Sequence, residues 1–110
     1  MTNASTDPVT AIFAVLYRYR DDTSLQDTHR SGHIAYLSKC VDSGELLVSG
    51  PWAPGQTPGG LLFYRVKDRA ALETILGNDT FVAEGVTTHV EIHDWQPLVG
   101  PLAGGFGDQP

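Results

Sequence analysis

Arg30 and His33 stand three residues apart in this chain, and His89, Glu91 and His93 alternate along a second short stretch. These are the places where the sequence gathers groups that move protons or hold anions. Three residues is close to one helical turn, so on a helix Arg30 and His33 share a face. An imidazole titrates near neutral pH and can act as a general acid or base on an enolisable or phenolic compound. Arg30, one turn earlier, either holds a substrate carboxylate or developing enolate or is an ordinary surface charge. On a strand, His89, Glu91 and His93 face one way, but alternate side chains lie ~6–7 Å apart, too spread to close on one ion without a bulge. No metal is therefore expected there, and no cofactor. Gly50, Pro51 and Trp52 form either the lip of a pocket, with an indole face for an aromatic ligand, or a strand-ending turn with a packing tryptophan. Tyr17 and Tyr64 line a cavity or fill it, and Cys40 sits among apolar neighbours where a thiol is inert.

The elements that must position these residues follow from hydrophobic periodicity. Thr10 to Tyr19 contains the unbroken apolar run Ala11 to Tyr17, which predicts a strand buried on both faces. Arg20 to Asp27 reads as a polar connection. Asp27 or Thr28 then caps a helix whose stripe Ile34, Leu37 and Val41 is predicted to pack on a sheet, with His33 at its edge, and which ends at Gly44. Gly32 inside it costs about 1 kcal/mol of helix propensity relative to alanine, unless it serves a close backbone approach.

A strand over Glu45 to Ser49, a Pro/Gly loop over Ala53 to Gly60 and a strand over Leu61 to Val66 come next. Asp68 caps a second helix with Ala71, Leu72, Ile75 and Leu76 inward and Gly77 at its end. Asn78 to Gly85 is a turn or single helical turn. Val86 to Trp95 alternates with period two and is the last strand. The tail from Gln96 carries four glycines and three prolines and is expected to be irregular, wrapped on a neighbour or mobile. The organisation is a disordered or extended start over 1–9, one domain over 10–96 and a Gly/Pro-rich tail over 97–110.

A chain of 110 residues supports one core. A net charge of −6 with only seven Lys and Arg argues against nucleic acid, which needs a clustered basic face. No stretch reaches the ~20 apolar residues of a membrane span, the polar opening lacks a secretory signal pattern, and the single cysteine fits a reducing compartment. The expected setting is cytoplasmic, and the expected partners are a small molecule and further copies of the chain.

The predicted order β-α-β-β-α-β is the split βαβ pattern of ferredoxin-like α+β folds, a four-stranded antiparallel sheet with both helices on one face. The second apolar face of the first strand then calls for a homodimer with facing sheets, or a higher oligomer. With this pattern the chain resembles the YciI-related family of the dimeric α/β-barrel superfamily, which also contains muconolactone isomerases. The resemblance runs from about Ile12 to Trp95 and rests on Arg30, His33, Gly44, Gly50-Pro51, Asn78-Asp79, Gly85 and His89. It implies a catalytic histidine–aspartate pair at His33 and Asp79, with Arg30, Gly50, Pro51, Trp52 and His89 as substrate-binding positions. The family's usual Asp-Pro-Tyr turn is Asp79-Thr80-Phe81 here, without the proline or the phenolic hydroxyl. The implied chemistry is elimination of the dehydrochlorinase kind, or isomerisation, on a small cyclic or aromatic compound. The alternatives are a cofactor-independent monooxygenase of the same superfamily and a non-catalytic ligand-binding dimer.

Overall fold

A computed structural model describes residues 10–106; the expected disordered start over 1–9 and the last four residues of the tail lie outside them. The first strand, β1 (Ala11–Tyr19), leads into α1 (Thr23–Asp42), β2 (Leu46–Pro51) and β3 (Gly59–Val66), then α2 (Arg69–Gly77), the short α3 (Thr80–Ala83) and β4 (Thr87–Asp94). The sheet is antiparallel in the order β2-β3-β1-β4. This is the predicted ferredoxin-like α+β arrangement, with three helices. The longest apolar strand is central because only there is a strand paired on both sides and covered most completely. No helix among the described residues is long and apolar enough to cross a membrane.

Cross-strand pairs point the same way, and the registers Phe13 to Tyr64, Val15 to Leu62 and Tyr17 to Gly60 define one face. That face meets the helices. Phe13, Val15, Tyr17, Leu62, Tyr64 and Val66 pack there with Leu72 and Leu76 of α2 and Cys40 of α1. Asp68 caps α2 as predicted, its carboxylate accepting from the Ala71 N–H at 2.8 Å.

Helix α1 departs from expectation twice. It begins at Thr23 with Asp22 as N-cap, accepting from the Ser24 N–H at 3.0 Å, not at Asp27 or Thr28. The polar run read as a connection is the solvated first turn and a half: the Thr28 hydroxyl donates to the Ser24 carbonyl, and Arg30 pairs with Asp27. The inward stripe is His33, Tyr36, Leu37 and Cys40, while Ile34 and Val41 are each 54% exposed. Apolar residues lie on both sides of this helix, so periodicity alone left its rotation open. Polar contacts decide it, including the Tyr36 hydroxyl donating to the Ile75 carbonyl at 2.7 Å.

The opposite face of the sheet is partly covered by the chain itself. Phe63, Trp95 and Phe106 form an aromatic cluster with ring centroids 4.8 to 5.4 Å apart. Phe106 ends a 3-10 turn, Ala103–Phe106. The tail is thus partly seated on its own sheet, because Phe106 packs against Phe63 of β3 and Trp95 at the end of β4. Leu98, Val99 and Leu102 remain exposed.

Candidate active site

Asp79 is the N-cap of α3, and this local role places its carboxylate. Its Oδ1 accepts the Phe81 N–H at 3.1 Å. The same oxygen meets His33 Nδ1 at 2.7 Å, and Oδ2 accepts the Tyr17 hydroxyl at 2.9 Å. Asp79 is wholly buried and His33 nearly so. A carboxylate that only accepts assigns a ring proton to Nδ1. No described residue bonds Nε2.

Three elements converge to make this geometry. Gly32 of α1 lies against Thr80, where a Cβ would come within 3.3 Å of the threonine side chain, so the glycine permits the close approach of α1 to α3. Phe81, two residues past Asp79, stacks flat on the His33 ring at 3.9 Å with planes 1° apart. Tyr17 rises from the central strand. Burial, then the neighbouring Asp79 charge, push its phenol far above the ordinary tyrosine value, so it remains a donor to the carboxylate.

His33 lines a cavity of about 340 Å³ with Arg30, Gly50, Pro51, Tyr19 and Phe81. Its walls are otherwise largely apolar, with Ile34 and Leu37 of α1 and Leu62 of β3 among them. That volume is of the order needed for a small ring compound. Arg30 lines the cavity half-exposed and is paired with Asp27.

Of the residues singled out in the sequence, the structure thus brings together His33, Asp79, Arg30, Gly50 and Pro51. It does not bring Trp52 or His89 to them. Those two line a separate recess of about 50 Å³ with Arg18 and Glu91, by the opposite face of the sheet. There Glu91 lies between His89 and His93 at 3.4 and 3.3 Å, with all three side chains exposed. The hydrogen bond from His93 first, and the nearby imidazoles, hold the Glu91 carboxyl below its ordinary value. Among the described residues no group of three or more His, Cys, Asp or Glu is arranged to hold a metal ion. Burial raises the Cys40 thiol, which keeps it protonated and buried beside Tyr36.

Sequence reasoning missed the use of Tyr17, the stacking of Phe81 and the presence of Tyr19 in the cavity. A signal existed for the tyrosines: the period of two puts Tyr17 and Tyr19 on the face that Phe13 and Val15 bury. Nothing local tied Tyr17 to Asp79.

The fold and this buried pair place the chain in a known class: it belongs to the YCII-related domain family, whose model matches residues 11–96. No curated protein sequence matches it. Among solved structures it is similar to 5-chloro-2-hydroxyhydroquinone dehydrochlorinase (TftG) from Burkholderia phenoliruptrix AC1100, in complex with 2,5-dihydroxybenzoquinone. The TM-score is 0.66 at 18% identity, over 76% of this chain and 92% of that one. It is also similar to Rv0793 from Mycobacterium tuberculosis, with a TM-score of 0.52 at 16% identity, over 84% of this chain and 99% of that one. At such identities the likeness is one of fold.

Proposed function

We propose that the protein is a cofactor-independent enzyme in which His33 Nε2 moves a proton on a small cyclic or aromatic substrate, with Asp79 holding the imidazole by its other nitrogen. The observation that carries this reading is the 2.7 Å contact between His33 Nδ1 and a buried carboxylate beside a ring-sized cavity. In an elimination, Nε2 takes a proton from the substrate, the electron pair released forms the new double bond, and the leaving group departs as an anion. In an isomerisation the same nitrogen returns the proton to a different carbon. Asp79 balances the charge of the imidazolium in both cases, and Tyr17 keeps the carboxylate oriented. The fold shared with a dehydrochlorinase favours elimination from a chlorinated hydroxyquinol as the first case to examine.

The working unit in this proposal is a homodimer. The open sheet face carries Leu16, Leu61 and Val48 beside the aromatic cluster, an apolar surface that a second sheet would cover. Sedimentation should give twice the mass of one chain at micromolar concentration.

The deciding experiment measures chloride release and ring absorbance with chlorinated hydroxyquinols for the parent, His33→Gln and Asp79→Asn. Proton transfer by His33 predicts a loss of about 10²–10⁴-fold in kcat for His33→Gln with the fold intact. Turnover unchanged by that substitution overturns the role. Binding of such rings without turnover in the parent would make the protein a ligand-binding dimer.

A further inference from the structure

Tyr17 and Tyr19 leave the same strand toward the same side of the sheet, yet their hydroxyls differ in employment. Tyr17 spends its proton on Asp79. The Tyr19 hydroxyl has no hydrogen-bond partner among the described residues, and its side chain lines the cavity that contains His33 and Arg30. Its ring meets Phe81 edge-on, with centroids 5.2 Å apart and planes at 81°, while Phe81 stacks on His33. One aromatic ring therefore braces both the imidazole and the phenol. Beneath the Tyr19 hydroxyl lies Gly60, where a Cβ would come within 3.1 Å of that oxygen and 2.9 Å of the Gly50 carbonyl. A glycine there lets the strand backbone and the Tyr19 hydroxyl lie this close together.

We propose that the Tyr19 hydroxyl and the Arg30 guanidinium form an oxyanion-binding end of this cavity, and that its ligand is a small ring bearing an ionised oxygen, a phenolate or enolate. The charge pattern supports this class. No aspartate or glutamate lines the cavity, so its polar groups include one cation, one free phenolic donor and an imidazole. Burial, with the charge of Asp79 behind it, pushes the Tyr19 phenol up to about 12, so it is a donor at neutral pH, while the Arg30 charge pulls the other way. The guanidinium and the phenol line the same cavity. Arg30 is paired with Asp27, three residues earlier on the helix surface; an exposed pair of this kind is weak and readily exchanged for a ligand oxygen.

The inference deepens the proton-transfer reading by naming the substrate class, and it is tested by binding alone. The probes are para-nitrophenol, whose phenolate absorbs in the visible, and para-nitrotoluene, a neutral ring of similar shape. With the full chain, the bound nitrophenol is expected to stay ionised to lower pH than the free compound. Tyr19→Phe keeps the ring packed on Phe81 and should weaken phenolate binding about tenfold, the worth of one hydrogen bond to a charged oxygen, with nitrotoluene binding unchanged. Arg30→Gln should weaken the phenolate similarly and remove much of its salt dependence. Equal losses for both probes in Tyr19→Phe, no loss for either, or no phenolate binding by the parent would each overturn the proposal. Absence of turnover with every ring tested would sink the enzyme reading while leaving these binding results intact.

Discussion

His33 meets Asp79 beneath the helices, and His89 and His93 meet Glu91 on the open face of the same sheet, so one small domain pairs imidazole with carboxylate in two settings. The chemistry of the side chains is the same. Asp79 is wholly buried and accepts from a backbone N–H, a phenol and an imidazole, whereas among the described residues the Glu91 carboxylate is paired with two exposed histidines at 3.4 and 3.3 Å. Water competes for every contact of Glu91 and salt screens them. At Asp79 the protein supplies all the partners, so the geometry is held and a single nitrogen is left to face a cavity. Residue type is thus a poor guide to how a pair is held; enclosure and a full set of partners separate the two.

The sharpest way to break this contrast is to remove each carboxylate. Asp79→Ala strands a buried imidazole, a phenol and a helix-end N–H, and should cost about 3–5 kcal/mol in urea unfolding. Glu91→Gln should move the midpoint only slightly. Equal midpoints for the two variants would mean that burial does not distinguish the pairs.

A smaller loss, about 1.5–3 kcal/mol, is expected for Tyr17→Phe, which removes one donor from Asp79 Oδ2 without altering the ring's shape. Imidazole nitrogen chemical shifts in that variant should report whether the proton stays on Nδ1 of His33. A mixture of tautomers would show that Tyr17 orients the carboxylate.

Alkaline titration tests the buried side as a whole. All four tyrosines are raised above their ordinary value of 10.0, each chiefly by burial. Groups raised in the folded state contribute stability that is complete below the unfolded value and lost as pH rises toward the folded one. Stability should therefore fall above pH 10, by up to about 1.4 kcal/mol per pH unit for each tyrosine that stays protonated. The phenolate absorbance should appear together with loss of circular dichroism, and phenolate forming well before unfolding would contradict the enclosure of Tyr17 and Tyr64.

The smallest effect belongs to the open face. Glu91 is lowered, so its contribution is present above the ordinary carboxylate value of 4.5 and is lost as pH falls through its folded value. Melting temperatures of the parent and Glu91→Gln should differ only slightly above that value and converge below it, and high salt should erase the difference. A larger gap that persists in salt would mean that this face is covered, as by a second copy.

Much of this protein was legible in the chain. Alternation in Val86 to Trp95, the apolar run Ala11 to Tyr17 and the Asp68 cap with Leu72 and Leu76 inward state the order of elements, because strand and helix periods are local properties. His33 was visible as a histidine at the margin of a helical stripe, and Asp79 through the family likeness. Three things were decided only in the folded molecule. The rotation of α1 turned on contacts with α2 and α3 that its own apolar residues did not select. The tail found a seat because Phe63 and Trp95 offer aromatic faces to Phe106. The site itself joins residues 46 and 62 positions apart, His33 to Asp79 and Tyr17 to Asp79. A linear pattern records which faces are apolar over a few turns, but a hydrogen bond between distant segments exists only after the sheet order and the packing of α1 on α3 have set the distance between them.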